Sequence, residues 1–503
     1  MTNVLFDTVL GASANPGKVC MEVPGGRQLT YAALREETGR VANALARLGV
    51  KPGDRVAAQV DKSPDVIALY LGTLRAGAVF LPLNTAYTPA EVRYFLEDAQ
   101  PSLFVCAPGS PAETAGLAGE LGIAQVTLAA DGSGSFMAAL QAAAPDFETV
   151  PRGGDDLAAM LYTSGTTGRA KGAMLSHVNL ASNSLTLVEA WRFTDADVLL
   201  HALPIFHTHG LFVASHVALI AGGEMLFLPR FDIGEVMTLL PRVTAMMGVP
   251  TFYTRLLERE DFSRDLVGHI RVFISGSAPL LAETHRAFRD RTGHAIIERY
   301  GMTETTMNAS NPYDGDRRAG TVGFPLPGVE MRVADPETGA VLPQGEIGVI
   351  EVRGPNVFQG YWQMPEKTAA EFRKDGFFIT GDLGKVDEDG YFHIVGRGKD
   401  LIISGGFNVY PKEVETEIDG IEGVVESAVI GLPHPDFGEG VAAVVVAKPD
   451  APLTEKTILS HIAASLARFK QPKRVFFVEA LPRNAMGKVQ KNELRARYAE
   501  TFR

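Results

Sequence analysis

The chain has 503 residues, 46% of them hydrophobic, and a formal charge of −12 from 47 basic and 59 acidic side chains. That length exceeds what one core organises, so two or more domains are expected. The acidic balance argues against non-specific binding to nucleic acid or anionic membranes, and Cys20 and Cys106 alone supply neither a disulfide framework nor a zinc ligand set.

The N-terminal stretch MTNVLFDTVLGASANPGK lacks a basic region followed by an apolar run, so no secretory signal is expected and the cysteines read as reduced cytoplasmic thiols. Next, Leu34, Val41, Leu45 and Leu48 recur near helical spacing, with Thr30 as N-cap, Gly49 as stop and Pro52 beyond it. Residues 54–60 read as a short buried strand, and PDVIALYLGTLRAGAVFLPLN as helix, Gly77, strand. This alternation predicts an α/β fold: a largely parallel sheet with helices on its faces.

Residues 162–177, YTSGTTGRAKGAMLSH, gather hydroxyls, glycines and two cations. Such loops bind phosphate through exposed N–H groups and hydroxyls while cations balance charge. The spacing of Gly165 and Gly168 to Lys171 does not fit the P-loop NTPase pattern. Taken alone, the loop also reads as an exposed turn between strand and helix.

Residues 199–228 are the most apolar stretch, yet His201, His207, His209, His216, Glu224 and a glycine pair interrupt it. It is too polar for a membrane span and reads as buried strand–loop–helix. If Leu281 starts a helix, His285 and Arg286 fall on its second turn. RYGMTETT offers Glu304 among hydroxyls, a magnesium ligand or a helix-capping residue. Residues 320–396 turn to short strands between Gly, Pro and Asp turns, a β-rich subdomain. Within them Asp382 precedes a hairpin and Arg397 follows it, a pairing suited to ribose hydroxyls and phosphate or to plain turn chemistry. GRGKD then leads to a small α+β unit, which sets residues 1–398 apart from 399–503. Lys488 lies in a Gly-containing turn near the end.

These stretches resemble the acyl-adenylate-forming superfamily, which includes acyl-CoA synthetases, adenylation domains of peptide synthetases and firefly luciferase. Further matches are TLRAGAVFLPLN, ALPIFHTHGL, SGSAPL, GTVGFPLPG, VRGPNVFQGYW and SGGFNVYPKEVE, in order along nearly the whole chain. Ala170 stands where the loop usually has proline, and Ile379 where arginine is common before Thr380. The resemblance implies a large N-terminal AMP-binding domain and a small mobile C-terminal domain. It also implies two half-reactions, with ATP and coenzyme A as co-substrates and Mg2+ as cofactor.

In the first, a carboxylate attacks the α-phosphorus and releases pyrophosphate. In the second, a thiol attacks the acyl carbon and releases AMP. By resemblance, Thr163, Ser164, Gly165, Thr166, Thr167, Gly168 and Lys171 hold the phosphates. Glu304 and Thr166 hold magnesium, and Thr303 lies by the α-phosphate. Ser277, Ala278, Pro279, Arg299, Tyr300, Gly301 and Met302 form the nucleotide site, and Asp382 and Arg397 fix the ribose. Lys488 bridges the carboxylate and α-phosphate and is a target for lysine acetyltransferases and deacetylases. Lys399 is the hinge, and Ser404, Gly405, Gly406 and Asn408 line a pantetheine channel.

The words THRAFRDRTGHA and ERYGMTETTMNASNPYDGDRRAGTVG look like malonyl-CoA synthetases within this superfamily. That resemblance gives malonate, with methylmalonate, as the acid, Arg286 receiving the distal carboxylate and His207 beside it. A surface arginine on an amphipathic helix is the plain alternative for Arg286. Other readings are a different acyl-CoA synthetase, a stand-alone adenylation enzyme loading a carrier protein, a luciferase-type oxygenase and a non-catalytic ATP-binding protein.

Overall fold

The computed structural model describes residues 2–11, 15–163, 170–404, 407–466, 468–484 and 487–502, apart from the side chains of Ala112, Asn408 and Ala464. Helix Tyr31–Arg47 begins where the Thr30 side chain accepts a hydrogen bond from Ala33 N–H, and it buries Leu34, Val41 and Leu45. Its chain exits through Gly49 at φ 88°, a conformation disfavoured for any residue with a Cβ. Strand Arg55–Gln59, helix Pro64–Arg75 and strand Val79–Pro82 follow. That helix is buried along its whole length, as a helix enclosed between layers must be.

Two large sheets position the site. Among the described residues, one has nine strands and the other seven. In the first, Val198–His201, Glu224–Phe227, Ala245–Gly248, Val272–Ser275 and Ile297–Met302 run parallel. In the second, Leu103–Cys106, Arg55–Gln59, Val79–Pro82 and Leu157–Thr163 run parallel, and Lys171–Ser176 returns antiparallel beside the last. Most of these strands are buried apolar runs, as parallel strands covered on both faces require, while Ile297–Met302 carries Glu298 and Arg299. The histidine-containing stretch after Val198–His201 folds into a π-helix, His209–Ala214, continued by the α-helix Ser215–Ile220.

A four-stranded antiparallel sheet, Glu330–Ala334, Gly348–Arg353, Phe378–Val386 and Phe392–Arg397, follows in sequence. The chain then makes one 3-10 turn, Gly398–Asp400, whose Asp400 pairs with Arg495 at 2.7 Å. Beyond it stands a smaller α+β domain with its own cores. Its centre is the hairpin of Val424–His434 and Gly438–Ala447, with helices Pro411–Asp419 and Glu455–Ser465 packed over it. No helix among the described residues is long and apolar enough to cross a membrane.

Candidate active site

The carboxyl ends of the parallel strands converge, the place where open α/β sheets hold ligands. Val198–His201, Ala245–Gly248, Val272–Ser275 and Ile297–Met302 end there from one sheet, and Leu157–Thr163 from the other. The two sheets touch through Thr163, whose hydroxyl donates to Glu304 Oε1 at 3.3 Å.

One wall holds a buried cation. Arg299, only 5% exposed, runs across Gly276 on the neighbouring strand's extension. Its Nε and Nη2 are buried without a hydrogen-bond partner, and burial pushes the guanidinium down to about 9. A buried cation left without an anion is costly and asks for one. Beside it, His209 Nδ1 lies 3.1 Å from Ser277 Oγ, while its Nε2 is also buried and unpartnered. Burial keeps His209 neutral, with the Arg299 charge acting in the same direction. The wall therefore presents unused N–H donors from Arg299 and an unpartnered ring nitrogen of neutral His209. Ser277 holds its place at φ 72°, in the left-handed region.

Glu304 sits in the turn between Ile297–Met302 and Thr306–Ser310, so the capping reading does not apply. It is 6% exposed, and burial raises its carboxyl above the usual range. Thr163 donates to Oε1, and the Tyr361 hydroxyl, 3.0 Å from Oε1 and 2.7 Å from Glu371, shares its one proton between the two carboxylates. Among the described residues no cluster of three or more His, Cys, Asp or Glu could hold a metal. Magnesium at nucleotide sites needs only one or two carboxylates plus substrate phosphates, and a single oriented carboxylate fits that.

Asp382 and Arg397 face each other across the antiparallel pair and form an ion pair at 3.1 Å. Tyr300 donates to the other Asp382 oxygen at 2.6 Å, tying the nine-stranded sheet to the four-stranded one. Lys488 projects from a tight turn closed by Asn484, with Gly487 at φ 73° beside Thr251 of the N-terminal region. The lysine side chain is exposed and feels the charges of Arg397, Asp382 and Glu304. Partial desolvation pushes it down to about 8, Arg397 acting in the same direction and Asp382 and Glu304 opposing. His207 shares this space: burial, then the Lys488 charge, push it down to about 4.

Arg286 departs from expectation. Helix Ala282–Thr292 buries Thr284, His285, Phe288 and Thr292, and Arg286 lies with Glu283 and Asp290 on the exposed face. His285 turns inward, its Nε2 lying 3.0 Å from the Ile296 carbonyl. Strand alternation sends Arg299 and Tyr300 to opposite faces of Ile297–Met302. Thr303 and Met302 are half-buried in or beside the turn, Gly301 packs on the Thr306 carbonyl, and Ala278 and Pro279 edge the cleft. Ser404 lies buried in the second domain, and exposed Lys399 in the Gly398–Asp400 turn. Ser164, Gly165, Thr166, Thr167, Gly168, Gly405, Gly406 and the Asn408 side chain lie outside the described residues. Tyr361 and Glu371, which join Lys171 and Glu304, carried no sequence signal of a role.

Residues 11–362 match the family model described as AMP-binding enzyme, and residues 413–488 match its C-terminal domain. The chain belongs to the AMP-binding enzyme family. Among solved structures, ATP-bound MatB from Rhodopseudomonas palustris is 60% identical with full coverage of both chains and a TM-score of 0.98. Apo MatB, equally covered, superposes with a TM-score of 0.87, so the domain arrangement here is that of the ATP-bound relative. A feruloyl-CoA synthase from an Amycolatopsis species is 38% identical over 478 residues, 94% of this chain and 95% of the relative. A malonate–CoA ligase from Arabidopsis thaliana is 35% identical over 511 residues, 93% of this chain and 83% of the relative. As a member of the AMP-binding family, the protein is an ATP-dependent, AMP-forming acid–thiol ligase with CoA as co-substrate.

Proposed function

We propose that the acid is malonate, with methylmalonate also accepted, so that malonate, ATP and CoA give malonyl-CoA, AMP and pyrophosphate. The observation that carries this reading is the buried Arg299 guanidinium with Nε and Nη2 unpartnered, beside the Ser277–His209 pair. A distal carboxylate would satisfy those donors and relieve an uncompensated buried charge. A monocarboxylic or aromatic acid would leave them unmet, and a site with unmet polar groups discriminates strongly. The name of the Arabidopsis relative agrees. Arg299, rather than Arg286, is the residue we assign to the distal carboxylate.

The remaining roles follow from charge and position. The hydroxyl-rich loop after Thr163 takes the triphosphate. Glu304 Oε2 would hold magnesium, which would screen charge on the phosphates. Asp382, already held by Tyr300 and Arg397, takes the ribose hydroxyls, and Ser277–Pro279 with Tyr300 flank adenine. Lys488 lowers the repulsion between the reacting carboxylate and the α-phosphate, a positioning and electrostatic role. Neutral His207 beside it can donate a hydrogen bond without adding charge. Lys399 serves as the hinge that lets the small domain change places for thioester formation.

Pyrophosphate release over acetate, propionate, malonate, methylmalonate, octanoate and benzoate, with and without CoA, tests the reading. Malonate should rank first, with AMP formation dependent on acid and CoA. A first rank for octanoate or benzoate would end it.

A further inference from the structure

Lys171 stands at the exit of the phosphate loop, yet its ammonium is already engaged. The residue is 8% exposed. Its Nζ lies 3.3 Å from Glu371 Oε1 and 3.9 Å from the centroid of the Tyr361 ring. A counter-ion and an aromatic face are the partners that a desolvated ammonium prefers. Glu371 is held in turn by Lys367 at 2.7 Å and by the Tyr361 hydroxyl at 2.7 Å.

These contacts close on themselves. Thr163, at the loop's entrance, pairs with Lys171, at its exit, across antiparallel strands. Thr163 donates to Glu304, Tyr361 reaches both Glu304 and Glu371, and Glu371 pairs with Lys171. The foot of the loop is thus a closed ring of side chains. The main chain on either side of Lys171 is also fastened: Tyr94 donates to the Ala170 carbonyl at 2.7 Å, and Trp362 N–H to the Gly172 carbonyl at 2.7 Å. For Lys171 to reach a phosphate it would have to leave Glu371 half-buried with only Lys367 and the Tyr361 hydroxyl, and breaking such a pair is unfavourable.

We propose that Lys171 and Glu371 form an anchor that holds the mouth of the phosphate loop in shape, and that Glu371 is a positioning residue for ATP binding. Lys171 acts through Glu371 and touches no phosphate. The inference rests on the reading of the loop as the triphosphate site, and the experiment separates the two.

ATP affinity is measured by calorimetry for Lys171→Met, Glu371→Gln, their double variant and, as a reference for the loop itself, Thr167→Ala. The anchor predicts that Lys171→Met and Glu371→Gln each weaken ATP about tenfold and that the double variant is no weaker than either single one, the signature of residues acting as one unit. A direct phosphate contact predicts the reverse for Glu371→Gln, because the freed ammonium would bind ATP as well or better. That result, or additive losses, overturns the proposal. Unchanged affinity in Thr167→Ala together with the other three variants would remove the triphosphate from the loop and the proposal with it. Thioester formation from supplied acyl-AMP and CoA, which needs no pyrophosphate site, should persist in every variant; its loss in Glu371→Gln would mark a general folding defect and also overturn the specific role.

Discussion

Gly276 lies directly against the Arg299 guanidinium: a Cβ built on the glycine would stand 2.2 Å from Cζ and 2.3 Å from Nε. No real Cβ contact is that short, and the buried arginine has little room to retreat. Gly276→Ala should therefore displace the cation while leaving its charge in the protein. We expect kcat/KM for malonate to fall by about one to two orders of magnitude, roughly 1.4–2.8 kcal/mol of transition-state stabilisation. Propionate should change far less. Equal losses for both acids would show that the glycine serves the nucleotide instead.

Replacing Arg299 by methionine keeps volume and removes the charge. On the order of a hundredfold or greater loss in malonate kcat/KM is expected, since deleting one partner of a buried charge pair costs about 2–5 kcal/mol. Arg286→Ala, on the exposed face of its helix, should leave the malonate preference within about twofold. Steady-state kinetics on both variants decides the assignment, and the opposite pattern would return the role to Arg286.

Partial desolvation, with the Arg397 charge, pushes the Lys488 ammonium down to about 8. Its protonated form is the useful one, so the sign is fixed: kcat/KM for adenylate formation should fall as pH rises through about 8. Thioester formation from supplied acyl-AMP should lack that alkaline limb. Lys488→Ala should cut adenylation by about three orders of magnitude, the scale of a lost preorganised electrostatic contact, and largely spare the thioester step. A pH profile with the same limb in both half-reactions would detach it from this lysine.

Lys399 lies in the turn after Arg397, and its neighbour Asp400 is clamped by Arg495 of the second domain. Lys399→Pro fixes φ at that point. If the small domain rearranges there between half-reactions, adenylation and thioester formation should respond unequally, by tenfold or so on the scale of gated steps. Unchanged rates in both would move the hinge elsewhere.

Local features were legible in advance because their causes are local. Thr30 caps the helix that ends before Gly49, and Gly77 turns helix into strand, each within a few residues of the signal. The fold class followed from alternation along the chain. Arg286 lies on the exposed face of its helix, and Phe288 and Thr292, legible in the sequence, mark the buried stripe. Arg299 was grouped with Tyr300 by proximity in sequence, although a strand sends neighbours to opposite faces. Glu371 could not have been found that way. It meets Lys171 across 200 positions of sequence, and nothing in either neighbourhood records the other.

Ser277 occupies a backbone conformation, φ 72°, in which glycine would rest without strain. Its hydroxyl is nonetheless what meets His209. Evolution toward a sturdier protein and evolution toward a choosier one therefore pull this single codon in opposite directions. A glycine here would relax the chain and loosen the imidazole together, so drift at this position trades the order of the His209 wall for backbone ease.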